Sequence, residues 1–451
     1  MRCGASSVNS LTINKRSDVL LERLFWIGLA VGLALAGWYQ INQIVDGDQL
    51  QMIDRGYRAA YLGLWSATGN AASVVGNVPG FFSTVVVAGP LMLWDSPYAP
   101  VVLLLALRLA GFLMIDAVVR EAFPGSIAMR VLLLLLLWIN PWVQYDSLLY
   151  NPSYLIFCAG LHLFTAWRLR AVPGFWWSFL HIVAIGLAMQ LHFSWPLLMF
   201  ISIYLWWRRL IVLNWWGAAF AVVLAVVSLL PYLSALIANP ELAHNPDPKA
   251  RERYIGWGAV HVYPVLKSVI YWLRYGAWAF PSKLVNDAGF DWLTSWQWLE
   301  FMLVWLWRIA QYLLAALTFV IALVSSIVAY TEVRHHWRRR DGAVDHPTWL
   351  LLYALGAFVA MLISAGLSPI VFNYWHLVLI LPAAVMPVLI WVYRTFFEDS
   401  TSCVKPLVVI AVILMVTNLV AINDSRKFSW SASYADQVRQ YVQKEIGPAP
   451  H

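Results

Sequence analysis

The chain has 451 residues, of which 12% are charged and 61% apolar, with 27 Trp, 20 Tyr and 21 Phe. Soluble globular chains carry roughly 25% charged residues, so this composition excludes an ordinary cytosolic enzyme. Long apolar runs between the 30 basic and 23 acidic residues exclude a disordered or collagen-like chain. The class that remains is an all-α polytopic membrane protein.

A bilayer core of about 30 Å needs about 20 apolar residues per helix. In chain order, eleven runs meet or approach that length: 24–44, 99–119, 131–143, 152–167, 175–193, 195–207, 215–237, 299–329, 349–367, 374–392 and 406–422. Three are short, and the stretch 175–207, broken at Ser194-Trp195-Pro196, reads as a tight hairpin or a re-entrant pair. With the amino terminus in the cytoplasm, twelve basic residues fall in the short inner connections, among them Arg120, Arg130, Arg168, Arg208 and Arg394. The short outer turns after Val143, Phe193 and Leu367 hold none. This division predicts a cytoplasmic segment 1–23, a membrane domain 24–422 with outer loops 45–98 and 238–298, and an extracytoplasmic tail 423–451. The net charge of +7 then reports topology and contact with anionic membrane lipids, and nucleic acid is not an expected partner.

Lys15, Asp18, Glu22 and Arg23 precede a first run that is too long for a cleaved signal and lacks a small-residue cleavage site, so it is expected to stay as an anchor. Cys3, Cys158 and Cys403 fall in the cytoplasm, within a span and in the cytoplasm, which leaves no extracytoplasmic disulfide and no zinc-type spacing. No Gly-rich phosphate loop, zinc-protease motif, nucleophile elbow or internal repeat is present.

Polar residues concentrate in the three outer segments. The first opens with Asp46-Gly47-Asp48-Gln49, two carboxylates flanking a glycine at the membrane surface. With Asp48 as N-cap and a helix from Gln49 onward, Leu50, Ile53 and Tyr57 share an apolar face while Arg55 and Arg58 lie elsewhere, which describes an interfacial amphipathic helix. Simple capping is the bland reading of either carboxylate, and Asp54 has the i,i+4 spacing to pair with Arg58. The Gly-, Asn- and Pro-rich stretch 69–80 reads as loop, and 81–94 as an interfacial or re-entrant helix over an outward-opening cavity.

This order of features, one span, an acidic outer loop with interfacial helices, short helical hairpins and a late outer loop, resembles the GT-C superfamily of membrane glycosyltransferases. More narrowly, 24–393 is similar to the family of dolichyl-phosphate-mannose protein mannosyltransferases and bacterial aminoarabinose lipid A transferases. The resemblance rests on Gly47-Asp48-Gln49, on Arg108, on Asn140-Pro141-Trp142 and Tyr150-Asn151-Pro152-Ser153, on Gln190-Leu191-His192, and on Asn373-Tyr374-Trp375-His376. It implies a GT-C-like fold of about eleven transmembrane helices. It also implies a hexosyl- or pentosyltransferase that takes a sugar from a polyprenyl-phosphate-linked donor and passes it, with inversion, to a lipid, glycan or protein acceptor on the outer face of a bacterial inner membrane.

Asp48 inherits the role of catalytic base, with Asp46 beside it. Where many relatives carry a second carboxylate this chain has Asn151, and Asp146 in the same turn is the candidate to compensate. No cofactor is dictated, and a divalent cation stays open. Departing phosphate needs fixed cations, preferably Arg. The densest outer basic cluster is Lys249, Arg251 and Arg253, with Arg55 and Arg58 second and His192 and His376 at outer ends of spans. Solvated surface is the bland reading of each arginine and lysine, and a backbone-satisfied imidazole that of each histidine. Arg108 and Arg308 are expected to be structural, and His162 and His181 receive no role. The competing classes are a transporter or flippase of lipid-linked sugars, which places carboxylates mid-span, and a polysaccharide polymerase or ligase working through loop arginines.

Overall fold

Hydrocarbon offers backbone N–H and C=O groups no water, so an apolar run closes its hydrogen bonds internally. Each of the eleven runs is helical over most of its length in the computed structural model, which describes residues 6–72, 76–145, 148–243, 261–277, 289–338, 344–398, 404–423 and 427–447. Along the chain these are α1 (Ser6–Ile41), α4 (Ala99–Ala122), α5 (Ile127–Leu133) continued by a π-helical turn (Leu134–Trp138), α7 (Leu155–Arg168), α8 (Phe175–Leu191), α9 (Pro196–Trp207), α10 (Trp215–Ala238), α12 (Gln297–Arg338), α13 (His346–Leu367), α14 (Leu381–Phe396) and α15 (Val404–Ile422). Between them lie α2 (Gly47–Leu62), α3 (Phe82–Leu93), α6 (Pro141–Tyr145) and α11 (Val262–Gly276), and α16 (Tyr434–Glu445) follows. Among the described residues, seven helical stretches are long and apolar enough to cross a membrane. The shorter α5 and α7 are largely buried inside the protein, which is why they need not match the bilayer's thickness, and α9 is half-buried.

Burial separates the centre from the rim. In the apolar window of the stretch Tyr374–Phe396, 78% is buried, against 6% in that of α10, so the first runs through the core and the second presents its face to lipid. The pair α8 and α9 is no tight hairpin. A turn at His192–Trp195 separates them, α8 packing on α7 and α10 while α9 packs on α13. The segment 238–298, read as polar loop, contains α11, whose Tyr263, Leu266 and Ile270 are exposed on one face while Tyr271 and Tyr275 are buried. The cause is a 3.6-residue period that brings Lys267 and Arg274, seven apart, onto one face.

Polar groups within the bundle are spent on packing. Asp116 holds Arg130 through two hydrogen bonds of 2.8 and 2.7 Å, and the Arg130 guanidinium lies 4.0 Å over Phe25. The fully buried Arg108 donates to the Val143 carbonyl at 2.9 Å, as befits a structural residue. His162 and His181 meet at Ser202, at 2.8 and 3.0 Å, and reach Tyr353 and Thr165 with their other nitrogens, at 2.9 and 3.0 Å. Because the Ser202 hydroxyl donates to the Leu198 carbonyl, each imidazole presents an Nε2–H to the serine oxygen, tying α7, α8, α9 and α13 together.

The crossing of α4 on α7 is close. A Cβ on Gly160 would stand 2.5 Å from the Gly111 carbonyl oxygen, and one on Gly111 2.9 Å from that of Ile156, so only hydrogen atoms fit between these backbones. Gly160→Val is expected to destabilise the protein by about 1–3 kcal/mol. A melting curve of the detergent-solubilised variant that matches the wild type would show that the two helices have room to spare.

Candidate functional site

The site is built at the end of the bundle where α1 hands over to α2. The sequence reading placed the N-cap at Asp48; the helix instead starts at Gly47 with Asp46 as its cap, and the Asp46 N–H donates to the Gln49 side chain at 3.3 Å. The reason is local: Gly47 takes a positive φ of 44°, which lets the helix start two residues earlier. Capping therefore falls to Asp46, and Asp48 is left with its side chain in open space.

That space is a cavity of about 520 Å³. Asp48, Asn70, Asn151, His192, Ser194 and His376 supply its polar wall, and Trp195, Phe200, Phe372 and Trp375 much of the rest. Four of the residues singled out in sequence, Asp48, Asn151, His192 and His376, thus share one chamber although they are more than 300 positions apart. Enclosure by protein pushes the Asp48 carboxyl above the ordinary carboxylate range; repulsion from Asp46 adds to this and Lys427 opposes it.

Each wall residue is fixed by its backbone neighbours. Asn70 donates to the Asp48 carbonyl at 3.2 Å, and the Ala71 N–H donates to Gln51 at 3.0 Å, so the loop 69–80 is tied directly to α2. Gly76, at φ 55°, lies against residues 242–243 so closely that a Cβ would come within 2.6 Å of the Leu242 carbonyl oxygen. Asn151 donates to the Leu191 carbonyl at 2.8 Å. His192 Nδ1 accepts from the Ser194 N–H at 3.2 Å, and His376 Nδ1 from the Asn373 N–H at 2.9 Å, so in both neutral imidazoles the proton sits on Nε2. The two rings are 5.5 Å apart. The chamber therefore offers one carboxylate and two imidazole N–H donors among aromatic walls.

The remaining singled-out residues lie elsewhere. Arg55 donates to the carbonyls of Thr68, at 2.9 Å, and Gly69, and to Asn77 at 3.5 Å, stapling the loop 69–80 onto α2. Arg58 pairs with Asp54 at 2.8 Å, as the i,i+4 spacing suggested. Asp146, Lys249, Arg251 and Arg253 lie outside the described residues. Among the described residues no group of three His, Cys, Asp or Glu side chains stands close enough to hold a metal ion.

Three cations that the sequence reading passed over gather beside the chamber. Lys267 donates to Asn373 at 2.9 Å, Lys427 donates to the Tyr374 hydroxyl at 3.1 Å, and the Arg274 guanidinium lies 5.2 Å over Trp142 and 5.0 Å over Tyr271. The Tyr275 hydroxyl donates to the Tyr374 carbonyl, fixing the same turn from α11. Burial and the neighbouring Arg274 push the Lys267 ammonium below its ordinary range, the condition of a cation that gains from an anion. Phe372, Trp375 and His376 face the chamber while Asn373 and Tyr374 meet these cations, so one short turn, 372–376, separates carboxylate from positive charge.

A polytopic all-α membrane protein with this arrangement has a GT-C-like fold. The solved structure of ArnT from Cupriavidus metallidurans bound to undecaprenyl phosphate matches it with a TM-score of 0.50 at 15% identity, over 87% of this chain and 70% of that one. The apo structure of the same ArnT gives 0.40 at 13% identity, over 88% of this chain and 77% of that one. No family profile and no curated protein matches the sequence.

The contacts of the two arginines separate structure from chemistry. Arg55→Ala leaves carbonyls of a half-buried loop without their donor and is expected to cost about 1–3 kcal/mol. Arg58→Ala removes a half-exposed i,i+4 pair and is expected to cost about 0.3–0.5 kcal/mol. Paired denaturation curves check the order, and equal losses would mean that Arg55 is not the staple.

Proposed function

We propose that the protein is an integral membrane glycosyltransferase that moves a sugar from a polyprenyl-phosphate-linked donor to a lipid, glycan or protein acceptor at the outer face of the membrane. The observation that carries this reading is Asp48, a carboxylate in an apolar-walled chamber, one turn of chain away from Lys267, Arg274 and Lys427. That the ArnT of like fold was solved with undecaprenyl phosphate supports a polyprenyl phosphate as partner.

The chemistry follows from charge. An acceptor hydroxyl or amine in the chamber attacks the anomeric carbon of the donor sugar. Asp48 takes the proton it loses, the bond from that carbon to the phosphate oxygen breaks, and polyprenyl phosphate departs with the electron pair. Base assistance of this kind contributes about 10² to 10⁴ in rate. The cations stabilise charge as it grows on the leaving phosphate, and the Nε2–H groups of His192 and His376 orient hydroxyls. Asp46 serves from its cap position as a neighbouring negative charge, which favours proton uptake by Asp48. A transport reading is disfavoured by the site of the intramembrane carboxylate: Asp116 is committed to Arg130.

Asp48→Asn is expected to lower transfer by about 10²-fold or more while insertion and accumulation stay normal. Incubating membranes with a polyprenyl-phosphate sugar and measuring acceptor-dependent release of polyprenyl phosphate tests this; full activity in the variant removes the mechanism. The pH dependence has a definite sign. The base must be ionised, and its pKa is raised, so activity falls as pH drops through a midpoint above the ordinary carboxylate range. An acid limb centred on the usual carboxylate value would contradict a desolvated Asp48.

A further inference from the structure

The turn that leads to Asp48 is held from outside itself. The Asn42 carbonyl accepts from the Ser429 N–H at 3.0 Å, and the Gln43 carbonyl accepts from the Gln437 side chain at 3.0 Å. The Ile44 N–H donates to the Lys427 carbonyl at 2.8 Å, and the Val45 N–H to the Gln437 side-chain oxygen at 3.0 Å. The main-chain groups of four successive residues therefore take partners from the carboxyl-terminal tail, two from its backbone and two from the Gln437 side chain, and the next residue is the Asp46 cap. Phe428 is fully buried and meets Tyr39 edge-on at 4.8 Å, which anchors the pairing. At the far end of α2, Arg58 donates to the Glu445 carbonyl at 3.3 Å. The same pairing sets Lys427 3.1 Å from the Tyr374 hydroxyl and 5.5 Å from the Tyr150 ring centre, next to the chamber residues Trp375 and Asn151.

We propose that the tail is a working part of the site: its pairing with residues 42–45 positions Asp48 for the acceptor and sets Lys427 at the edge of the chamber as a charge opposite in sign to Asp46. This rests on Asp48 being the base. The charged groups acting on Asp48 are Asp46 on its own turn and Lys427 from the tail, of opposite effect; His192 and His376 share its chamber. Without Lys427 the repulsion from Asp46 is unopposed, so Asp48 holds its proton to higher pH.

The test uses the full chain in detergent and two readouts. A hydrophobic carbodiimide reacts with protonated carboxyls, and peptide mass spectrometry across pH gives the midpoint at which Asp48 stops being labelled. Lys427→Met is expected to move that midpoint to higher pH and to lower transfer from an undecaprenyl-phosphate-linked sugar about tenfold at neutral pH, with Lys427→Arg restoring both. Gln437→Leu keeps Lys427 but loses two ties to the turn, and is expected to lower transfer about tenfold or more. A Lys427→Met midpoint equal to that of the wild type, or a Gln437→Leu variant with wild-type transfer, overturns the proposal. Asp48→Asn in the same assay keeps the two ideas apart. Transfer retained there removes the base itself; transfer lost there beside an unmoved Lys427→Met midpoint removes only the role of the tail.

Discussion

Asp48 stands exposed at the end of a helical bundle, on the edge of an aromatic- and aliphatic-walled chamber, so its position depends on how firmly the backbone that carries it is held. Gln43 does much of this restraint. Its side-chain oxygen accepts from Gln49 at 2.6 Å and from the Leu149 N–H at 3.1 Å, while its amide donates to the Gln40 carbonyl at 2.9 Å. One buried glutamine thus joins the end of α1, the first turn of α2 and the turn before Asn151. Its own backbone belongs to the segment paired with the tail. The position of Asp48 is set by amide groups that lie outside the chamber.

Deeper in the bundle the same economy applies to charge. Arg130 and Asp116 satisfy one another, Arg108 serves a backbone carbonyl, and the two core histidines close a hydrogen-bonded network around Ser202. Polar groups inside the membrane here lock helices against each other, and the close approach at Gly111 and Gly160 shows that packing, with no water to expel, does the rest. A rigid frame of this kind is what lets four wall residues from distant parts of the chain hold a common chamber.

What could be read in advance follows from the range of each signal. Apolar runs are local and strong, so all eleven were legible, as was an acidic turn at the end of the first span. The cap was misplaced by two residues because Asp46 and Asp48 have equal chemistry, and only the conformation of Gly47 decides between them. Lys267 and Arg274 carry a weak trace in sequence, a seven-residue spacing on an amphipathic helix, hidden by the denser cluster at 249–253. Lys427 carries none. It is one of four Lys and Arg residues in a Ser-rich tail, made relevant by a pairing with residues nearly 400 positions earlier.

The division of the site by the turn 372–376 bears on stereochemistry. Along that short stretch, which enters a 3-10 helix at Tyr374, Phe372, Trp375 and His376 wall the chamber of Asp48 while Asn373 and Tyr374 turn toward Lys267 and Lys427. Under the proposed reaction, an acceptor activated by Asp48 and a phosphate held by the cations approach one anomeric carbon from opposite sides. A single displacement then follows, and the configuration inverts. A retaining route would instead need Asp48 itself to attack that carbon opposite the phosphate and the acceptor to arrive afterwards from the side of the cations. Asn151, with its amide donating to the Leu191 carbonyl, holds the wall of the chamber, and under the proposed reaction the proton goes to Asp48.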